Sequence, residues 1–443
     1  MRRRSAAEGG EIARHHSLNV QHYGTVGTFT DGLNESTPPD YNVPVILRIR
    51  LKKPEQAGTT RFRPREFHSG AIAVAPMIGS ESMQLSILFA TNRKGLLACS
   101  RIAQACSWAS PDVEVIVRDN SGDAQKCEFL ALCRRDHCKI VIVEPCDILT
   151  NFSETLRMAK GEFVFVLADD DFCFDHAVAA LPGVLGQYRK DPSVVGVTGA
   201  YAVEGSQGTS IMSYPNAESD DVVARVSGYL TYSGPNILHY APMRREIVER
   251  VFNFMNAMPA LFSFHDQVIS LLYLLNGKFV RLNRLLYLYD VGVWGATDSA
   301  QKRDVDFYKD AGLDPAINKL HWFLCGFEGA VLARNSDIFP EYPIAQRQVI
   351  ADRWFSAMFM RFQGHARLTF ESRFTGEADK LCAKLLTSTG QLSFQDMLAE
   401  ICSLIALFSK GHAQRYHDFW SAVLNRRAPV PHVASIAAKK RAV

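Results

Sequence analysis

The stretch "GEFVFVLADDDFCFDHAV", residues 161–178, sets an apolar run, Phe163 to Leu167, directly against three consecutive carboxylates, Asp169, Asp170 and Asp171. A short run of Val and Phe bounded by turn signals reads as a strand buried on both faces. Three like charges at its end repel one another unless something compensates them. Just upstream, "NFSETLRMAKG" has helical periodicity, with Lys160 in its last turn and Gly161 as its stop signal.

Working outward, the same alternation extends back to residue 84. "QLSILFAT" reads as a buried strand, and "KGLLACSRIAQACSWAS" puts Leu96, Cys99, Ile102, Ala103 and Cys106 on one helical face. "VEVIVRDNSGD" is a second strand, "AQKCEFLALCRRD" a helix, and "CKIVIVEP" a third strand. Strands of continuous apolar residues alternating with single helices predict an α/β fold, a mostly parallel sheet flanked by helices. Beyond the triplet, "DHAVAALPGVLGQYRK" reads as helix and "SVVGVTGAYAVE" as strand. Residues 206–220 read as a long polar loop. "MRREIVERVFNFM" and "SFHDQVISLLYLLNG" read as helices, and "KFVRLNRLLYLYDVGVW" as strand.

Three regions follow. Residues 1–80, rich in Gly, Pro, Ser, Thr, Arg and Glu, read as flexible or loosely attached, with "VPVILRIRL" as one isolated strand. Residues 84–292 form the α/β domain, and residues 300–430 an α-rich C-terminal region.

Composition narrows the function classes. The chain has 443 residues, 47% hydrophobic, with a net charge of +3. This is ample for a core and gives no global pull toward nucleic acid or acidic membranes. No apolar run approaches the roughly 20 residues of a bilayer span. The basic start "MRRRSAAEGGEIARHHS" has no apolar segment after it, so no secretory signal is expected, and a cytoplasmic location with room for peripheral membrane contact is. Ten cysteines in a chain this long read as reduced thiols. Cys133, His137 and Cys138 in "CRRDHC" match no strong zinc spacing. GxGxxG, GxxxxGK[ST] and HExxH are all absent.

In an open parallel sheet, ligands bind outside the carboxyl ends of the strands. Two acidic clusters fall at such ends, Asp119 after "VEVIV" and the triplet after "FVFVL". Hard cations such as Mg2+ and Mn2+ take oxygen ligands and bridge carboxylates to substrate phosphates. Taken alone, the triplet is equally a solvated turn or an acidic cluster at a helix N-terminus, with Asp171 or Asp175 as cap.

The order of segments from "LSILFATNR" through "VEVIVRDNSGD" and "NFSETLRMAKGEFVFVLADDD" to "FHDQVISLLYLLNGKF" resembles glycosyltransferase family 2. That family has a GT-A fold and consists of inverting transferases that use nucleotide sugars. The resemblance covers residues 84–292, about half of the chain. It implies that Thr91, Asn92 and Arg93 lie beside the nucleotide, although Phe89 and Ala90 replace the family's Pro and Thr. It implies that Asp119 contacts the nucleobase, with Asn120 in place of a frequent second Asp. The family often reads L-D-x-D-D; here Ala168 stands where the first Asp falls. Asp170 is then the implied metal ligand and Asp169 the ribose contact, while Asp171 assists either or caps the next helix. An inverting transfer also needs a carboxylate base, and the family's Asp after the sheet matches Asp266. Ser263 and Asp266 also fit a capping box, and a dipole-stabilised carboxylate suits a base.

The resemblance implies a UDP-sugar or similar nucleotide-sugar donor, Mn2+ or Mg2+, and a glycan, lipid-linked or protein acceptor, with no nucleic-acid partner. His239, Arg244 and Arg245 lie near a segment that borders acceptor or diphosphate in the family, although arginines on a helix are commonly surface charge. Trp294 is either a sugar-stacking ring or a core residue. Two other readings remain: a metal-dependent nucleotidyltransferase, for which "ATNRKG" is a faint phosphate loop, and a non-catalytic GT-A-fold binding module, which Ala168 favours.

Overall fold

A computed structural model describes residues 48–49, 83–169, 172–205, 208–214, 217–232, 238–259, 266–290, 305, 308–309, 315, 320–370, 380, 383–385 and 392–425. Asp170, Asp171, Ser263, His265, Trp294 and most of residues 1–80 lie outside the described residues.

Among the described residues the strands form one ten-stranded sheet, the apolar runs supplying its longer members. The strands are β1 Arg48–Ile49, β2 Leu85–Thr91, β3 Val113–Asp119, β4 Cys138–Ile142, β5 Phe163–Val166, β6 Phe172–Cys173, β7 Val194–Gly205, β8 Gly208–Met212, β9 Met243–Arg244 and β10 Lys278–Asp290. The principal order is β1-β8-β7-β9-β5-β2-β3-β4, with β10 pairing β7 and β6. Strands β5, β2, β3 and β4 are all parallel. Beyond β5 the sheet is mixed: β9 runs antiparallel to both β5 and β7, whereas β10 runs parallel to β7.

Helices α1 Leu96–Cys106, α2 Ala124–Leu132 and α3 Ile148–Arg157 are the crossovers of the parallel half. Asp123 caps α2 by accepting from the Lys126 amide, and Asp147 caps α3 through the Thr150 amide. The helical segment after the triplet splits into α4 Asp175–Val178 and α5 Leu181–Gln187. Asp175 does not cap α4 through its side chain; its Oδ1 accepts from Gln104 Nε2 (2.9 Å) and Trp108 Nε1 (2.7 Å), tying α4 to α1.

Residues 206–220, read as a loop, contain β8, which folds back antiparallel on β7 with Tyr201 opposite Met212. The alternation in "GTSIM" is too short to stand out in sequence, and pairing with β7 decides it. Arg48–Ile49 of "VPVILRIRL" in turn pairs with Ser210 and Thr209 of β8, so it is an added edge strand.

Gly161 owes its place to packing. Helix α3 ends at Arg157, and a Cβ on Gly161 would lie 2.6 Å from the Ser86 backbone nitrogen. The chain presses against β2 there, the Gly161 amide donating to Ser86 Oγ at 2.7 Å. Buried Glu114 accepts from the same Ser86 hydroxyl (2.5 Å) and from the Lys160 amide (2.5 Å).

Further α-helices are α6 Val222–Thr231, α7 Arg245–Ala257 and α8 Asp266–Asn276, before β10, and α9 His321–Asn335, α10 Ile344–Phe370, α11 Phe394–Ala406 and α12 Lys410–Leu424 after it. One continuous apolar core runs from Leu85 and Val115 in the sheet through Leu271 and Leu275 of α8 to Phe327, Trp354 and Trp420. Every residue of α8 from Gln267 to Asn276 is buried. Buried Arg225 of α6 fixes this junction by donating twice to the Leu274 carbonyl, at 3.1 and 3.0 Å. Trp354 Nε1 donates to the Cys325 carbonyl at 2.8 Å, locking α10 onto α9.

Within this core Glu328 is 0% exposed and accepts from Tyr416 Oη at 2.8 Å. Burial raises its pKa from 4.5 to about 8. The folded protein therefore keeps a proton that the unfolded chain gives up near pH 4.5, so Glu328 makes stability fall as pH rises from 4.5 to about 8 and costs no more above that.

Two predictions arise here. Gly161→Ala is expected to lower unfolding stability by about 1–3 kcal/mol in urea denaturation, because the backbone of β2 must move. Glu328→Gln is expected to flatten the fall in stability between pH 5 and 8, with a gain over wild type of at most about 5 kcal/mol at pH 8. Denaturation midpoints measured across that range check it, and an unchanged slope would refute it.

Candidate functional site

Strand register assembles the site. Thr91 pairs across the sheet with Asp119, and Leu88 pairs with Val166. Three residues past Leu88 and Val166 stand Thr91 and Asp169, so the carboxyl ends of β2, β3 and β5 bring Thr91, Asp119 and Asp169 to one edge. The Thr91 hydroxyl donates to Asp169 Oδ2. Arg93 Nε pairs with Asp169 Oδ1 at 3.0 Å. Asp169 is 8% exposed, Arg93 has 32% of its side chain open to solvent, and Asn92 is exposed.

Asp119 is 0% exposed. Its counter-ion is Lys126 of α2, 2.8 Å away and only 1% exposed. The ammonium also donates to Thr91 Oγ1 and to the Arg93 carbonyl, both at 2.7 Å. Ser121 Oγ donates to Asp119 Oδ2 at 3.0 Å. The strand-end carboxylates thus have protein cations as partners, Lys126 for Asp119 and Arg93 for Asp169. Sequence reasoning missed Lys126. Its signal was a charge four residues before Leu130, on the helix face that α2 buries.

Beside Asp119 lies a second polar layer. Asn120 Nδ2 donates to the Cys146 carbonyl (2.7 Å), and Asn151 Nδ2 donates to Asn120 Oδ1 (2.9 Å). Arg118 Nη1 donates to Asn151 Oδ1. Asn120 and Asn151 are both buried, so this layer stiffens the end of β3.

Asp266 is the first residue of α8 and half-buried. Burial raises the pKa of Tyr229 of α6 and of Cys325 of α9, with Tyr214 and then Asp266 adding to it at Tyr229 and Asp266 adding to it at Cys325. Tyr229 Oη donates to Gln267 Oε1 at 2.7 Å, and the Tyr229 ring stacks on Trp354 with centroids 6.0 Å apart. The helix that carries Asp266 is therefore clamped on one side by residues of the C-terminal helices.

Arg244 is not a surface charge. It is buried, pairs with Glu162 at 3.1 Å, and donates to the carbonyls of Val194 (2.8 Å), Tyr188 (2.7 Å), Arg189 (3.2 Å) and Asp191 (2.9 Å). These bonds use its guanidinium to pin β9 to the chain leading into β7. Arg245 donates to the Gly161 carbonyl (2.9 Å) and pairs with Glu249 (2.9 Å). Burial lowers the His239 pKa to about 4, so its imidazole is neutral at pH 7.

The cysteines differ in their surroundings, the hydrogen bond with Cys106 lowering the thiol pKa of Cys138. Nine are free among the described residues, and burial raises the thiol pKa of Cys99 and Cys133. Cys127 is raised by burial and by its contact with Asp119. No cluster of His, Cys, Asp or Glu among the described residues is arranged to hold a metal.

No family model matches the chain, and no curated protein matches it. Its fold is similar to that of the 1–349 segment of S. aureus TarS, at 13% identity and a TM-score of 0.45, covering 77% of this chain and 91% of that one. The same segment in complex with UDP-GlcNAc gives 11% identity and a TM-score of 0.46, over the same 77% and 91%. A mannosyltransferase from Pyrobaculum calidifontis, in complex with GDP-Man and Mn2+, gives 13% identity and a TM-score of 0.36, covering 81% of this chain and 91% of that one. No helix among the described residues is long and apolar enough to cross a membrane.

Replacing Arg244 by Ala leaves Glu162 with Arg189 as its cation and removes the guanidinium donors to four carbonyls, so the variant is expected to lose about 1–3 kcal/mol of stability. Thermal and urea denaturation check this. An Arg244→Ala variant as stable as wild type would restore the reading of Arg244 as a surface charge.

Proposed function

We propose that this protein is a GT-A-type glycosyltransferase related to family 2, transferring a sugar from a nucleotide-sugar donor, such as a UDP-sugar, to an acceptor hydroxyl with inversion. The observation that carries the reading is the convergence of Thr91, Asp119 and Asp169 at the carboxyl ends of adjacent parallel strands, the ligand-binding edge of such sheets. In this reading Asp119 and its Asn120–Asn151 layer face the nucleobase. Asp169 takes the ribose, and exposed Asn92 and half-buried Arg93 border the diphosphate.

Asp169 is already engaged by Arg93 and Thr91, so metal ligation falls to Asp170 and Asp171, the neighbouring carboxylates of the triplet. Their hard oxygen donors suit Mn2+ or Mg2+. When bound, that cation offsets charge on the leaving diphosphate. Asp266 is the proposed base. Its place at the start of a helix keeps it ionised near neutral pH, ready to take the proton of the attacking acceptor hydroxyl. The acceptor is a glycan, a lipid-linked glycan or a protein, and the α-rich region that packs behind α8 supports the helix that presents the base.

The test is a thermal-shift screen of UDP- and GDP-sugars, with and without Mn2+, followed by calorimetry on the hits. A ligand that binds only the native state raises its apparent stability, so at least one donor is expected to stabilise the protein, more so with Mn2+. Asp266→Asn is expected to keep donor affinity and to lose transfer by about 10²–10⁴-fold. No stabilisation by any donor refutes the nucleotide-sugar reading, and unchanged transfer by Asp266→Asn refutes the base.

A further inference from the structure

A buried lysine is an unusual thing to place beside a ligand edge. Lys126 is 1% exposed, and its contacts are with protein groups. It donates to Thr91 Oγ1 (2.7 Å) and to the Arg93 carbonyl (2.7 Å), and its charge pairs with Asp119 Oδ1 at 2.8 Å. Thr91, in turn, accepts from the ammonium and sends its own proton to Asp169. The result is one directed chain, Asp119–Lys126–Thr91–Asp169, closed at its far end by Arg93 on Asp169 Oδ1.

A serine or threonine hydroxyl rotates to suit its partners. Here the cation fixes which way the Thr91 proton points, because the hydroxyl's lone pair is taken by Lys126. Chains of this kind polarise one another, and in a dry setting the effect is strengthened. A buried ion pair adds little stability over an apolar pair of the same volume. Stability alone therefore gives weak grounds for a lysine here, whereas linking two strand-end carboxylates requires one.

We propose that Lys126 is a positioning residue that couples Asp119 to Asp169, holding both carboxylates in the geometry in which they meet the nucleotide. The inference rests on the nucleotide-sugar reading for its consequence, and on the hydrogen-bond chain alone for its mechanism. With the chain intact, Asp119 cannot turn toward solvent and Asp169 keeps one orientation. Once it is broken, each carboxylate samples several orientations, and donor affinity falls although no ligand contact has been removed.

The experiment uses the full chain with Lys126→Met, Thr91→Val, Thr91→Ser and the double variant Lys126→Met/Thr91→Val. UDP with Mn2+ is titrated calorimetrically into each. Each disrupting single variant is expected to weaken UDP by about tenfold. The double variant is expected to be no more than about threefold weaker than either single, because both break the same chain. Thr91→Ser, which keeps the hydroxyl, is expected to bind within about threefold of wild type. Effects that multiply in the double variant, or UDP affinity unchanged in the single variants, overturn the proposal. Should Lys126→Met fail to fold for want of a counter-ion to Asp119, the contrast between Thr91→Val and Thr91→Ser decides, since both leave that ion pair in place.

A ligand-free arm separates this inference from the functional reading. Urea denaturation of Lys126→Met, Asp169→Asn and their combination measures coupling between two residues linked through Thr91. That coupling is expected with Thr91 present and is expected to vanish in a Thr91→Val background. If wild type binds no nucleotide, the functional reading fails and this arm still judges the chain. Absent coupling, or coupling that survives Thr91→Val, overturns it.

Discussion

The parallel register of β2 between β3 and β5 is the constraint on which the rest depends. Pairing Thr91 with Asp119 and Leu88 with Val166 sets three strand ends level. A slip of one residue would turn every side chain to the opposite face and scatter the cluster. Register is enforced from the far end of the strands. There Gly161 and Ser86 sit too close for a side chain between them, and buried Glu114 gathers the amide that enters β5 and the hydroxyl of Ser86. Packing at the closed end of the sheet thus positions chemistry at the open end.

Charge at the open end is balanced within the protein. Like carboxylates at adjacent strand ends repel, and Lys126 and Arg93 offset that repulsion for Asp119 and Asp169. The two cations differ in exposure: Lys126 is sealed, while Arg93 retains solvent access. The sealed one joins Thr91 and Asp119, and the open one pairs with Asp169.

The C-terminal helices pack against α8. Helix α8 is buried along its length, held by Arg225 on one flank and by the Tyr229–Trp354 stack on another. Its first residue, Asp266, inherits that rigidity. The arginines of this half, Arg225 and Arg244, bind carbonyls from several elements and act as pins where the mixed part of the sheet meets its helices.

Much of this was legible in the residues. Apolar runs such as "QLSILFAT" and "FVFVL" mark strands because a sheet covered on both faces leaves no polar side for them, and alternation with helices set the parallel half. The candidate cluster was legible because carboxylates at strand ends stand out against apolar surroundings. What the sequence did not reveal is which distant groups meet. The β8 hairpin, the Arg48–Ile49 edge strand, the tie from Asp175 to α1 and the burial of Arg244 all depend on partners far along the chain. Lys126 is the sharpest case, a charge on a helix face whose meaning appears only when α2 lies over β2 and β3. Local pattern fixes periodicity and hence elements, whereas long-range register and packing decide which charges become neighbours. The sequence by itself therefore determined the strands, the helices and the acids, and only the tertiary structure decided what compensates those acids and holds them in line.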